Sequence, residues 1–201
     1  MKYLAVLLFA FFSSLNAYAT QINLPNLFVN TNKISHVYGP IEDASAMQFM
    51  VETMNTAPLP GLRLILIDSP GGSVPAGQQM IDIMEIEKKA GVKQVCVVTG
   101  MAASMAFNLL THCDVRVAVP KARLLAHKIA IVLPPFFRIT VPNMQRLIKD
   151  LDPIDAVFDR ENAAALHMSQ YEYEKLAEEE RFFTVQELVN CGYLHNIVNL
   201  K

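Results

Sequence analysis

Val95-Cys96-Val97-Val98-Thr99-Gly100-Met101-Ala102-Ala103-Ser104-Met105 is the stretch that decides the fold. Val95 to Val98 is an apolar β-type run, and Ser104 opens a helix-like stretch reaching to Thr111. The same order stands earlier in the chain. Leu62 to Ile67 is apolar, Asp68-Ser69-Pro70-Gly71-Gly72-Ser73 follows, and Pro75 to Lys89 reads as a helix. A strand that ends in glycines leaves backbone N–H groups open to close approach. A serine that opens a helix sits where the dipole is positive and the first N–H groups are free. Side by side, two such strand ends hold a nucleophile next to an oxyanion site.

The pattern extends outward in both directions. Ile34 to Tyr38 reads as a strand. Asp43 caps a helix over Ala44 to Thr56, with Met47, Met50, Val51 and Met54 on one face. The helix from Pro75 has Ala76, Met80, Ile83 and Met84 as its inner stripe, and Gly91 ends it. Val115 to Val119 and Arg123 to Ile129 read as further strands, and Leu194 to Val198 as a short closing one. Val132 to Pro142 is irregular. Asp152-Pro153 suits an N-cap with proline in the first helical position. Ser169 with Glu172, and Thr184 with Glu187, form capping boxes. Alternating strands and helices imply an α/β fold, a parallel sheet covered by helices.

The first residues stand apart from this pattern. Lys2 is a basic n-region, Leu4 to Phe12 an apolar h-region, and Ala17-Tyr18-Ala19 a small-x-small cleavage site. Residues 1–19 therefore read as a signal peptide and 20–33 as an extended arm, leaving 34–201 as one domain. The expected location is periplasmic, with no membrane association after cleavage. A net charge of −2 and no basic cluster argue against a nucleic-acid partner. The three cysteines, Cys96, Cys113 and Cys191, show no metal-ligand spacing, and neither a metal nor a cofactor is expected. Cys96 and Cys113 precede apolar runs that read as adjacent strands, so they are the pair to test for a disulfide. The favoured reading is that all three are small buried hydrophobes.

Ser104 needs a base. His127 lies in the apolar run Leu124-Leu125-Ala126-His127, one strand beyond the Ser104 helix. A buried ring there requires a partner, and the end of that strand can lie beside the nucleophile. Lys128 is the rival base. In an extended segment it faces away from His127, and as a base it would have to lose its proton. It therefore reads as a solvated or partner-facing charge. A carboxylate should orient the imidazole. Glu178-Glu179-Glu180 stand at a helix C-terminus, poorly placed for its dipole, so one of them has another task.

These residues resemble the proteolytic subunit of the Clp protease, within the ClpP/crotonase fold of repeated β-β-α units. Ser69 to Val74 resembles its oxyanion loop, Gly100 to Met105 its nucleophile motif, and Tyr38 to Asp43 its first strand and turn. Glu180-Arg181-Phe182 matches the segment where the family carries aspartate before Arg-Phe. The resemblance implies Ser104 as nucleophile, His127 as general base, Glu180 as the orienting acid, and the N–H groups of Gly71 and Met105 as oxyanion hole. It implies a peptide or unfolded-protein substrate and a homo-oligomer. Lys128-Ile129-Ala130 and a proline-rich stretch replace the family's segment after the histidine. Two other readings remain open: a signal-peptide-peptidase-like enzyme with a Ser104–Lys128 dyad, and a catalytically silent binding module.

Overall fold

Five parallel strands form the main sheet, in the order β1 (Ile34–Tyr38), β2 (Gly61–Ser69), β3 (Val92–Ala103), β4 (Val115–Ala118) and β6 (Asn196–Ile197). A sixth, β5 (Arg123–Leu125), pairs in parallel with the end of β3. The computed structural model describes residues 33–55, 61–133 and 135–199. The expected signal peptide and nearly all of the expected arm lie outside the described residues.

Side chains alternate across the pleat. Ile65, Ile67, Cys96 and Val98 face the main core, while Leu64, Val95, Val97 and Val117 form a smaller cluster on the other face. The main core is closed by α1 (Asp43–Met54), α2 (Val74–Lys89), α3 (Met105–Thr111), α4 (Val141–Ala165), α5 (Gln170–Glu178) and α6 (Val185–Asn190). This is the parallel sheet flanked by helices that the alternating pattern implies. Both C-terminal capping boxes form, at Ser169 with Glu172 and at Thr184 with Glu187. Cys96 and Cys113 form a disulfide, with Cα atoms 6.0 Å apart, joining β3 to the second residue past α3, which corrects the favoured reading of all three cysteines as buried hydrophobes. Cys191 is free. Arg63, wholly buried at the start of β2, donates to Glu87 Oε2 at 2.6 Å and to the Ser35 hydroxyl at 3.0 Å. The guanidinium thus joins β1, β2 and α2.

Three local expectations are corrected. Helix α1 is N-capped by Glu42, and it buries Ala46, Phe49 and Thr53 while Met47, Val51 and Met54 face outward. Apolar residues occupy both sides of this helix, so periodicity alone cannot say which stripe is inward. Helix α4 runs unbroken through Pro153, starting instead after Thr140 with Pro142 in its first turn. The strand expected over Arg123 to Ile129 stops at Leu125. Its partner β3 ends at Ala103, where the chain turns at Ser104, so later residues find no ladder to continue.

Candidate active site

The end of β3 serves two neighbours in turn. Val95 to Val98 pair with Val115 to Ala118 of β4, and Met101 to Ala103 pair with Arg123 to Leu125 of β5. This switch brings the end of β5 beside the turn at Ser104, whose N–H donates to the Leu125 carbonyl at 2.9 Å. Ser104 has φ 56° and ψ −126°, a left-handed backbone that side chains rarely adopt. Such strain persists only where the surroundings enforce it, and it collects at functional sites. Met105 is the first residue of α3, so its N–H belongs to the donors a helix leaves unpaired at its start.

Gly71 lies against this turn. A Cβ at Gly71 would stand 2.5 Å from the Ala103 carbonyl oxygen and 2.6 Å from Ser104 Cβ, and its φ is +90°. Only glycine fits. Its loop is braced from β1's side: the Ile41 N–H donates to the Gly71 carbonyl at 2.8 Å, and the Ser73 N–H to the Ile41 carbonyl at 2.8 Å. The Gly71 N–H donates to the Ser69 hydroxyl at 3.1 Å. Gly71 is buried against Ser104 and is not itself among the lining residues of the cleft.

A cleft of about 310 Å³ opens in front of the turn. Ser104, Met105 and Asn108 line it from α3, Pro70, Gly72 and Val74 from the glycine loop and α2, and His127, Lys128, Ile129, Ala130 and Val132 from the segment after β5. Ser104 and His127 thus share one cavity. A family model described as Clp protease matches residues 22–201. The chain belongs to the Clp protease family. Its parallel sheet and flanking helices are consistent with that membership, and peptidases are the family's class of activity.

The acid position of the Clp protease resemblance is placed differently. Glu180 is exposed, has φ 49°, and is not among the cleft's lining residues. Phe183 makes an antiparallel bridge with Leu124. Continued by three residues on each side, that antiparallel pairing would set Glu180 opposite His127. The bridge is a single isolated pair, β5 stops at Leu125, and Glu180 lies in a left-handed conformation. His127 Nδ1 instead meets the Lys128 carbonyl oxygen at 2.6 Å.

Lys128 lines the cleft beside His127, because the strand that would have turned it away stops at Leu125. Its ammonium is not free in solvent. It contacts Asp155 Oδ2 at 3.3 Å and also Asp159, both on α4. Burial pulls the Lys128 pKa down, but the hydrogen bond to Asp159 and the two negative charges outweigh it and hold the pKa above its ordinary value. Burial, helped by the charge of Asp155, pushes the Asp159 carboxyl up.

Asp155, Asp159 and Asn162 went unread in the sequence. They recur on one face of α4, at the i, i+4, i+7 spacing that usually marks an apolar stripe. Asn162 Nδ2 donates to Asn108 Oδ1 at 2.6 Å and to the Tyr173 hydroxyl at 3.0 Å, tying α3, α4 and α5 together behind the cleft. A polar stripe facing inward was the available signal.

Proposed function

We propose that this member of the Clp protease family is an exported, ATP-independent serine endopeptidase that cuts peptides or unfolded segments through an acyl-enzyme on Ser104. The observation that carries this reading is the strained Ser104 turn, with Gly71 packed against it and His127 in the same cleft. His127 takes the Ser104 proton as the hydroxyl attacks the scissile carbonyl, then returns it to the leaving amine. The Met105 N–H and the Gly71 N–H, which exchanges the Ser69 hydroxyl for the acyl oxygen, take the developing negative charge. A Ser104–Lys128 dyad is disfavoured, because two carboxylates hold the ammonium in its protonated form.

Export is supported by the arrangement of residues 1–19 and by the Cys96–Cys113 pair, since disulfides persist in oxidising compartments. Outside the cytoplasm no ATP-driven unfoldase would feed the cleft. Family members form rings, and exposed Met47, Met54, Val132 and Phe136 offer apolar surface to further copies. The test is labelling by a serine-directed fluorophosphonate of protein recovered from the cell envelope. Labelling of a chain that starts at Thr20, lost in Ser104→Ala, is expected. Labelling that survives S104A would identify another nucleophile, and an intact first segment on cytoplasmic protein would end the export reading.

A further inference from the structure

A peptide group holds the His127 imidazole in this structure. The carbonyl of the Lys128–Ile129 peptide meets His127 Nδ1 at 2.6 Å. The N–H of the same peptide, on Ile129, donates to Asp155 Oδ1 at 2.9 Å. A peptide unit is planar and stiff, so a partner that fixes its N–H also fixes the direction of its carbonyl. Hydrogen bonds in series polarise one another, so a carboxylate on the N–H side makes the carbonyl a stronger acceptor. The remaining Asp155 oxygen, Oδ2, contacts the Lys128 ammonium, which Asp159 also binds one helical turn further along α4. Asp159 is 3 % exposed, so this second anchor is buried in the body of the fold.

We propose that Asp155 is the positioning residue of His127, acting through the Lys128–Ile129 peptide, in the place where the resemblance puts Glu180. The proposal rests on His127 being the general base. With Nδ1–H donating to the Lys128 carbonyl, the imidazole is held in one tautomer and Nε2 keeps the lone pair that accepts the Ser104 proton. Lys128 keeps the segment docked: its ammonium fastens residues 127–129 to α4 while its own carbonyl receives the ring. Glu180 takes no part in this arrangement, so its extra methylene relative to aspartate has no consequence for the base.

The experiment combines tautomer and reactivity. In ¹⁵N-histidine-labelled full-chain protein, the two-bond ¹⁵N–¹H spectrum reports which His127 nitrogen carries the proton, with H127Q supplying the assignment. The Nδ1–H form is expected in the unmodified protein and in E180Q. D155A should move His127 toward the mixture of a free imidazole, and D155N, whose amide oxygen still accepts from the Ile129 N–H, should restore it. Fluorophosphonate labelling should be unchanged in E180Q and fall on the order of tenfold or more in D155A, with recovery in D155N. An Nε2–H form in the unmodified protein, or loss of the Nδ1–H form in E180Q with retention in D155A, would overturn the proposal. Should D155A not fold, the unmodified protein and E180Q decide alone. The tautomer reading needs no turnover, so it stands apart from whether the protein hydrolyses anything.

Discussion

The two walls of the cleft are built differently. On one, the backbone does the holding: Gly71 and Ser73 bond to Ile41, Ser104 bonds to Leu125, and a glycine without a side chain lets the loops touch. On the other, residues after Leu125 have no strand partner on β3, and side chains hold them: Lys128 and Ile129 reach Asp155 and Asp159 on a helix more distant in sequence. The first wall has few conformations open to it. The second depends on charges and on how α4 sits. Ser104, the proposed nucleophile, therefore stands on rigid ground, and His127, the proposed base, stands on ground that chemistry can alter.

Removing the rigidity should have the largest effect. Gly71→Ala forces a Cβ to within 2.5 Å of the Ala103 carbonyl, so either the oxyanion loop or the Ser104 turn must shift. Losing one oxyanion donor costs roughly 10²–10³ in rate, and a fluorophosphonate labelling rate reduced by that order in folded G71A is expected. Unchanged labelling would mean that this wall is softer than its contacts imply.

The disulfide separates stability from geometry. Cys96 and Cys113 are 17 residues apart in sequence, and a loop of that size contributes about 3 kcal/mol. The C96S/C113S double variant should melt roughly 6–12 °C lower than the oxidised protein, measured by circular dichroism. Below its melting range it should label at the rate of the parent, because the backbone bonds around Ser104 remain. A slowed rate in the folded variant would show that the crosslink also shapes the first wall.

The smallest effect lies on the far edge of the sheet. The Arg116 N–H donates to His195 Nδ1 at 3.0 Å, and the His195 N–H returns a bond to the Arg116 carbonyl at 2.8 Å. Burial, with the positive charges of Arg116 and Lys93, holds the imidazole below its ordinary value of 6.5. The folded state thus prefers neutral His195, and the unfolded state binds the extra proton first. The contribution is present above pH 6.5 and is lost as pH falls below it. Melting curves at pH 8 and pH 5.5 should show a smaller acid loss for H195Q than for the parent. An equal or larger loss in H195Q would remove His195 from the account.

The contrast between the walls also explains what the sequence disclosed. The first wall is local: strand, glycine turn and helix follow one another in Leu62 to Lys89 and again in Val95 to Thr111, and both were legible. The place of His127 in the cleft was legible because it lies two residues past the end of β5. The second wall was not legible, since Ile129 meets Asp155 26 residues later, across an irregular stretch and a turn of chain direction. Reading Lys128 as a solvated charge failed for the same reason, as its partners lie beyond any local pattern. The acid at Glu180 was inferred from resemblance and from the misplacement of three glutamates at a helix C-terminus, and its exposed position shows how little a motif constrains a side chain at a left-handed turn. Helix α1 failed differently, because two apolar stripes competed and only the packing of Phe49 chose between them.

The fork in β3 has a consequence for how such chains tolerate change. Three residue pairs, from Met101 with Arg123 to Ala103 with Leu125, set the spacing between nucleophile and imidazole. Insertions between Ala118 and Arg123 fall outside both ladders and can be absorbed as a longer loop. A single residue inserted or deleted within Arg123 to Leu125 would slip that register and displace the segment that carries His127. Length variation should therefore gather on the near side of β5 and avoid its far end.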